Sequence, residues 1–521
     1  MSRSNIFHQL RRTLRIAGFS DHNGLPSREG IEITRARRAT RRQFLAGAAG
    51  AVATAAGLQA APKASLDVGI VGAGLAGLVA ADQLRIKGTL AKVYEASNDP
   101  GGRCRSLRGF FPGQVAERGG ELIDNLHKTM LGYAREFGLA LEDLSKEPGD
   151  VAYYFHGRRY PESAVVDEYR AFVPAMRADL RRLSRQITAD SYKPFDAELD
   201  NTSLAEYLNT RGAGPVIKAA IEAAYIAEYG LSTEEQSCLN FLLFIHADRR
   251  AKFQPFGVFS DERYHLIDGN DAIVQGLAGR LAPRIEYGRT LVHVHTTPVG
   301  RVELTFSGGH TVTHDSVILA LPFTILRDVT FDPALPAWKH YAISQLGYGT
   351  NTKTMVGFVA RPWYLHVGSS GASYSDLENH QTTWETNHAR SSASRAILTD
   401  YSGAARGLSL NPANLQAAVG AFLDDLDVVF PGAKAAARVN AGQYVAHMEN
   451  WPGNPLVKGS YTCYRPGQFT TIAGNEGKPV GNILFAGEHA NSFYEWQGFM
   501  EGAALSGIEA AKLLLNPGKG K

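Results

Sequence analysis

The sequence predicts an α/β fold with more than one domain, and three observations support that prediction. An apolar strand pattern, Val68–Val71, runs directly into the spaced glycines Gly72, Gly74 and Gly77 and then into a helical stretch. A second strand pattern follows and ends at Glu95. With 521 residues, the chain is also longer than a single hydrophobic core usually supports.

Each glycine has a steric task in a strand-turn-helix unit that binds a dinucleotide. Gly72 allows the tight turn, Gly74 lets the backbone approach a pyrophosphate, and Gly77 lets the helix pack closely on the strand. Glu95, which lies 23 residues after Gly72, stands where an acid binds the ribose. We therefore predict a dinucleotide site here, the alternative being a glycine-rich surface turn.

The net charge of +3 is unevenly distributed along the chain. Residues 1–61 contain ten Arg, no Lys and three acids, whereas the remaining 44 basic and 48 acidic residues leave the body of the chain mildly acidic. Such a body offers no basic patch for a nucleic acid, and none is expected as a partner.

The three cysteines, Cys104, Cys238 and Cys463, are too few and too scattered for a disulfide framework or a zinc cluster. We expect buried free thiols. His293 and His295 lie two residues apart in a predicted strand and would face the same side. No Cys, Asp or second pair of His completes a set of ligands with them, so no metal site is expected.

Residues 1–64 are expected to be disordered and to contain an export signal. Arg41 and Arg42 precede Phe44 and Leu45, and an uncharged Ala/Gly-rich run continues to Pro62. This arrangement resembles a twin-arginine signal, which implies the twin-arginine export machinery as a partner and a periplasmic or secreted location. The alternative is a membrane anchor, but the run has too few strongly apolar residues.

Beyond Glu95, the motifs Gly101-Gly102-Arg103 and Glu117-Arg118-Gly119-Gly120-Glu121-Leu122 follow. Near the C-terminus, Phe485-Ala486-Gly487-Glu488 precedes Gly498-Phe499-Met500-Glu501-Gly502. Together these motifs resemble those of the flavin amine oxidases. Paired glycines admit a cofactor, and an arginine fork suits its pyrophosphate.

The resemblance implies an FAD-binding Rossmann-like domain of the glutathione-reductase type, interleaved with an α+β substrate-binding domain. The FAD-binding domain would comprise residues 66–126, 256–330 and 454–516, and the substrate-binding domain residues 127–255 and 331–453. The expected cofactor-binding residues are Gly72, Gly74, Leu75, Ala76, Gly77, Glu95, Ala96, Gly102, Arg103, Gly119, Gly120, Glu121, Leu122, Val292, Gly487, Glu488, Gly498, Phe499 and Met500.

Three residues are expected to be catalytic by the same resemblance. Lys353 corresponds to a lysine that holds a water against flavin N5, although from the residues alone it is a lysine extending from a sheet edge. Tyr461 and Phe499 correspond to an aromatic cage that aligns an amine, the alternative being ordinary core packing. Ser460 stands where monoamine oxidases have a cysteine bonded to the flavin, so FAD is expected to be non-covalent.

Periodicity predicts helices over residues 128–137, 166–187, 214–229 and 271–281. The whole interval from 126 to about 250 looks mainly helical. Three β-rich segments are predicted over residues 289–295, 301–306 and 311–319, and short strands in this succession suggest a sheet layer. By the same resemblance, residues 316–322 form the strand at which the chain leaves the FAD-binding domain.

The implied reaction is oxidation of an amine by hydride transfer to flavin N5, with dioxygen giving hydrogen peroxide. Many L-amino acid oxidases have an arginine for the substrate carboxylate where this chain has Leu122. Arg263, Arg465 or Tyr401 could take the place of that arginine as the ligand of a substrate carboxylate. We favour an L-amino acid as the substrate, and a monoamine or polyamine is the alternative substrate. Two other classes of protein stay open: a dehydrogenase or desaturase that uses another electron acceptor, and a flavin-loaded binding protein. A homodimer is possible.

Overall fold

The computed structural model describes Ala17 and residues 66–146, 148–245, 263–491 and 496–516. Apart from Ala17, the expected export signal lies outside the described residues. Among those that are described, no helix is both long and apolar enough to cross a bilayer.

A parallel sheet lies at the centre of the N- and C-terminal parts of the chain. In the described residues it has five strands, in the spatial order Ile483–Phe485, Ser316–Leu319, Val68–Val71, Lys92–Tyr94 and Ile285–Glu286. The strand Val68–Val71 is buried along its whole length, as expected for a parallel sheet covered on both faces. This arrangement is the predicted Rossmann-like fold.

Two helices pack closely beside this sheet. The helix Leu75–Ile86 follows the glycine turn, and Met500–Leu515 lies against it. The contact is tight because Gly507 lacks a side chain: a Cβ there would lie 2.3 Å from the carbonyl oxygen of Ala76. The glycine turn is thereby fixed against the C-terminal motif.

A second sheet, mainly antiparallel, lies next to the first. Its four strands in the described residues are Thr311–His314, Val302–Phe306, Leu291–Thr296 and Thr330–Asp332. The β-rich segment predicted over residues 311–319 is confirmed as two strands, which divide at Asp315, and the second of them, Ser316–Leu319, belongs to the parallel sheet. The Asp315 carboxylate accepts hydrogen bonds from Asp67 N and Arg301 Nε, which turns the chain from one sheet into the other.

A helical layer covers much of the region between residues 126 and 245. Its helices are Lys128–Glu136, Glu162–Arg182, Pro194–Asp200, Leu204–Thr210, Pro215–Tyr229 and Cys238–Ile245. The predicted helices over 128–137 and 214–229 are confirmed, and the one over 166–187 begins and ends earlier. The same interval also contains the strands Leu141–Asp143, Asp150–Phe155 and Arg158–Tyr160, which periodicity did not predict.

A mixed sheet forms the core of the second unit. Its seven described strands are, in spatial order, Ala446–Asn450, Thr352–Phe358, Ala396–Ser402, His380–Thr386, Ser369–Leu377, Asp150–Phe155 and Arg158–Tyr160. All seven residues of Thr352–Phe358 are buried, so Lys353 lies in the middle of a sheet and not at its edge. In this sheet Lys353 is paired in register with Tyr401 and with Glu449.

The remaining elements are short or peripheral. Further strands are Ser106–Arg108, Val115–Glu117, Tyr264–Leu266, Val439–Asn440 and Gln443–Tyr444. Further helices are Asp271–Leu281, which confirms the prediction, Phe323–Leu326, Ala337–Gln345, Pro362–Val367, Ala404–Ser409, Leu415–Val429 and Ala433–Ala436. The fold class agrees with the sequence prediction, and we retain the domain boundaries as a proposal.

Candidate active site

The glycine turn has the geometry that its spacing predicts. Gly72 has a φ of +104°, a backbone conformation that favours glycine, and its N–H donates to Tyr94 O at 2.7 Å. A Cβ on Gly77 would lie 2.0 Å from Gly72 O, so this position serves the packing of helix on turn. A Cβ on Gly74 would meet no protein atom within 4 Å. Gly74 therefore borders open space, as a position approached by a cofactor should.

Glu95 lies at the end of the second strand and is held in place by two backbone groups. Its carboxylate accepts hydrogen bonds from Ala73 N at 2.7 Å and from Ser97 N at 2.9 Å. The side chain is thus fixed beside the glycine turn. A carboxylate oriented in this way can also accept hydrogen bonds from ribose hydroxyls.

A cavity of about 450 Å³ connects the glycine turn with the C-terminal motif. Twelve of the predicted cofactor-binding residues line it: Gly72, Gly74, Leu75, Ala76, Glu95, Ala96, Gly102, Arg103, Val292, Gly487, Glu488 and Met500. Arg105, Arg118 and Arg289 add further positive charge to its lining. A glycine-lined cradle with a ribose-binding acid at one end and several guanidinium groups fits an FAD molecule, and we assign these residues to its binding.

Arg103 and Glu488 join the two motifs that are most distant in the sequence. Arg103 Nη1 donates to Glu488 Oε1 at 2.9 Å and to Ser460 O at 2.7 Å, and Glu488 Oε2 accepts from Gly498 N at 2.9 Å. Burial alone would raise the pKa of the Glu488 carboxyl, but the Arg103 guanidinium, together with weaker effects of other basic groups such as His489, lowers that pKa below its usual range. The cavity therefore contains a fixed, ionised pair.

The other seven predicted cofactor residues lie outside the cavity lining: Gly77, Gly119, Gly120, Glu121, Leu122, Gly498 and Phe499. Gly119 and Gly120 allow close packing, since a Cβ would lie 1.8 Å from Arg103 O or 2.7 Å from Met500 Sδ, respectively. Both of those neighbours belong to cavity-lining residues. The Gly-Gly segment thus supports the cavity wall from behind.

Glu121 contacts the expected catalytic lysine directly. Its Oε2 lies 2.5 Å from Lys353 Nζ, and its Oε1 accepts a hydrogen bond of 2.8 Å from Trp384 Nε1. Lys353 Nζ also donates to the carbonyls of Glu117 and Gly119, each at 3.1 Å. Lys353 is therefore a buried, ion-paired lysine that reaches from the mixed sheet to the Gly-Gly segment.

Tyr461 and Phe499 are both fully buried. The Tyr461 hydroxyl donates to Ala227 O at 2.8 Å and accepts from the Tyr401 hydroxyl at 3.1 Å. The Phe499 ring is held edge-to-face by His127, with ring centroids 5.2 Å apart, and is stacked parallel to Phe244 at 6.4 Å. Both rings are fixed in orientation, which suits the predicted aromatic cage.

Ser460 and the three cysteines all lie in the interior. The Ser460 hydroxyl donates to Asn351 Oδ1 at 2.6 Å, so it is engaged within the protein, and the non-covalent state of FAD stays a prediction. Cys104, Cys238 and Cys463 are buried thiols that form no disulfide bond in the part of the chain that the structure describes. In the described residues, no group of three or more His, Cys, Asp or Glu side chains is arranged to hold a metal ion.

Sequence reasoning missed Trp384 and Asn351, and it considered Tyr401 only as a carboxylate ligand. Tyr401 lies on the strand beside that of Lys353, and Trp384 lies on the next strand; Lys353 Nζ is 5.8 and 5.5 Å from their ring centroids, respectively. Only the strand register brings these residues together, and no local motif marks them.

The fold and the site define an FAD-dependent oxidoreductase with a buried aromatic site. The chain belongs to the flavin containing amine oxidoreductase family, whose sequence model matches residues 75–515.

Curated relatives include the L-amino-acid oxidase of Pseudechis australis, which is 23% identical over 457 residues, or 85% of each chain. Amine oxidase [flavin-containing] B of Sus scrofa is 25% identical over 465 residues, or 86% of each chain. The fold is similar to that of cyclohexylamine oxidase from Brevibacterium oxydans IH-35A, with a TM-score of 0.75, 22% identity, and coverage of 87% of this chain and 99% of that one. Putrescine oxidase bound to putrescine has a TM-score of 0.72 and 19% identity, covering 87% and 100%.

Proposed function

We propose that the protein catalyses the oxidative deamination of an L-amino acid. When bound, FAD accepts a hydride from the amine-bearing carbon, after which dioxygen takes up the electrons as hydrogen peroxide and water hydrolyses the imine to a keto acid and ammonia. The observation that carries the proposal is the pair of buried, fixed rings, Tyr461 and Phe499. Each ring follows in sequence a residue that is linked to Glu488. Phe499 follows Gly498, whose N–H donates to Glu488, and Tyr461 follows Ser460, whose carbonyl accepts from Arg103, the ion-pair partner of Glu488.

The protein contributes alignment and exclusion of water. Tyr461 is held by two hydrogen bonds, and Phe499 by its aromatic neighbours, so neither ring has to reorganise when a substrate binds. Both rings are fully buried, so water has no access to them in this structure. A neutral amine placed between two such rings needs no separate protein base.

The choice of an L-amino acid is supported by the curated relatives, several of which are named L-amino-acid oxidases. They match this chain over 85% of its length. Their names describe those proteins, and the substrate of this chain is our proposal.

A second candidate function is the oxidation of an amine that has no carboxylate. It is favoured because the three residues considered as carboxylate ligands already contact other groups of the protein. Arg263 forms two hydrogen bonds to Asp143, at 2.9 and 2.7 Å. Arg465 pairs with Glu235 at 3.3 Å where both side chains are about half exposed. Tyr401 donates to Tyr461. Each of these three candidates is therefore already engaged with another group of the protein, and Tyr401 would have to give up its bond to Tyr461 to donate to a carboxylate.

The test is an anaerobic titration of the FAD-loaded protein with paired compounds: L-amino acids and the amines that correspond to them after decarboxylation. Flavin bleaching by the amino acids alone would confirm the first proposal, and bleaching by the amines alone the second. Admission of air should then produce hydrogen peroxide. Bleaching without peroxide would instead identify a dehydrogenase, and no bleaching by any amine would overturn both candidates.

A further inference from the structure

The ammonium group of Lys353 is fully engaged within the protein. Its three N–H donors match three acceptors: Glu121 Oε2 at 2.5 Å and the carbonyl oxygens of Glu117 and Gly119, each at 3.1 Å. The lysine side chain is only 3% exposed. The orientation of the lysine side chain is thus fixed, and its charge is paired directly with that of Glu121.

Glu121 is fixed in turn by Trp384. The indole N–H donates to Glu121 Oε1 at 2.8 Å, while the other carboxylate oxygen faces Lys353. Removing one member of a buried ion pair is costly because it leaves the other charge uncompensated. Glu121 therefore both neutralises Lys353 and determines where its ammonium group lies.

This ion pair lies directly behind the cavity wall. The two carbonyls that bind Lys353 belong to the segment 117–119, and the next residue, Gly120, donates from its N–H to Arg103 O at 3.0 Å. Gly120 also packs on Met500, and both Arg103 and Met500 line the cavity. A change in the charge of the pair acts over a short distance on whatever the cavity holds.

We propose that Glu121 is a positioning residue that sets the direction and the net charge of Lys353 at the flavin. The location of Lys353 near the flavin ring is taken from the sequence prediction, and the inference rests on the proposed function for the flavin chemistry at this site. The sequence prediction that Glu121 also contacts the cofactor stays a prediction. The pair carries no net charge, whereas a lone ammonium would favour the reduced, more negative flavin.

The consequence is measurable without any substrate. In Glu121→Gln, an uncompensated positive charge should shift the midpoint potential of the bound flavin upward, because positive charge stabilises the reduced form. In Lys353→Met, the uncompensated carboxylate should shift it downward. The double variant has no charge at either position and should return close to the wild-type potential.

The chain supplies a matched control in the same sheet. Glu385, next to Trp384 on its strand and directed to the opposite face, accepts hydrogen bonds from Trp363 Nε1 at 2.8 Å and from Arg361 Nε at 2.9 Å. Glu385→Gln removes the same kind of buried carboxylate. It should lower the melting temperature, as Glu121→Gln does, but leave the flavin potential unchanged.

The experiment is a reductive titration of each FAD-loaded variant against a reference dye, with the melting temperature measured in parallel. Opposite shifts in the two single variants and their cancellation in the double variant support the proposal. Equal potentials in wild type, Glu121→Gln and Lys353→Met overturn it, as does the same shift in Glu385→Gln. If Glu121→Gln does not retain FAD, the proposal is tested by Lys353→Met, whose flavin potential should shift downward. Glu121→Asp keeps the negative charge, so its flavin potential should stay near that of the wild type. The titration involves no amine, so its result is separate from the test of the proposed function.

Discussion

The hydroxyl of Tyr401 donates a 3.1 Å hydrogen bond to the hydroxyl of Tyr461, which in turn donates to Ala227 O. Both tyrosines are buried, and burial raises the pKa of Tyr401, so its hydroxyl stays protonated throughout the neutral range. A cage ring is thereby held from the mixed sheet on one side and from a helix on the other.

Tyr401→Phe should lower the rate of flavin reduction by roughly tenfold or less, the equivalent of one net hydrogen bond. The reason is that Tyr461 then keeps only its bond to Ala227. Stopped-flow reduction with the best substrate measures the rate. Tyr374→Phe, a buried tyrosine elsewhere in the same sheet, serves as the control. A wild-type rate in Tyr401→Phe would show that this hydrogen bond does not position the ring.

Two glycines of the same turn should respond differently to alanine. Gly77→Ala places a Cβ 2.0 Å from Gly72 O and should destabilise the protein by several kcal/mol, seen as loss of folded protein. Gly74→Ala meets no protein atom within 4 Å, and Gly74 has an ordinary extended backbone, so the apoprotein should melt normally.

In Gly74→Ala the methyl group instead occupies space that we assign to FAD. Its FAD affinity, measured by fluorescence titration, should fall at least tenfold. An unchanged affinity would contradict the placement of the cofactor at this turn.

His265 should make the protein less stable at alkaline pH. Burial alone would lower its pKa, but Glu117 at 3.1 Å and Glu142 at 3.5 Å raise it to about 9. Because the folded pKa exceeds the unfolded value of about 6.5, the stabilisation is complete below pH 6.5 and is lost as pH rises through about 9. The full effect is on the order of 3 kcal/mol.

His265→Gln should flatten this alkaline loss in melting curves recorded from neutral to alkaline pH. His293→Gln, at a half-buried strand position, is the control. Parallel curves for wild type and His265→Gln would contradict the assignment.

The flavin should separate completely from the polypeptide on acid precipitation. Ser460 offers a hydroxyl that is engaged with Asn351, and the nearby thiol of Cys463 is buried at 3.8 Å from Asn240 Nδ2. All FAD should therefore be recovered in the supernatant and identified by mass. A yellow precipitate would instead indicate a covalent bond to the flavin, and peptide mapping would then locate that bond.

We propose export through the twin-arginine route on the basis of Arg41 and Arg42. Replacing both with lysine should abolish export of the full chain in a bacterial host, so that the protein accumulates in the cytoplasm. Fractionation followed by immunoblotting measures this, with Arg37→Lys/Arg38→Lys as the control. Undiminished export of the Arg41/Arg42 variant would exclude this route.

The sequence predicted those parts of the site that depend on local motifs. The glycine turn, Glu95, Arg103 and Glu488 each lie in a short pattern whose geometry follows from the backbone, and the structure places them around one cavity. The role of Glu121 in cofactor binding stays a prediction, and its contact with Lys353, which is 232 residues away, could not be read from the motif.

The partners of the lysine and of the cage could not have been predicted in the same way. Trp384 and Tyr401 reach Lys353 through strand register, which is determined by long-range pairing and not by any local signal. Likewise, the division between the two strands at Asp315 involves a contact with Asp67, which is 248 residues away in the chain.

The parallel sheet has a temporal consequence for the cell. Its central strand is Val68–Val71, but its edge strand is Ile483–Phe485, and Glu488 follows that edge. A ribosome must therefore translate the chain at least as far as Glu488 before the cofactor cradle can close. Loading with FAD then has to wait for this C-terminal motif, and we expect a nascent chain that stops before it to remain colourless.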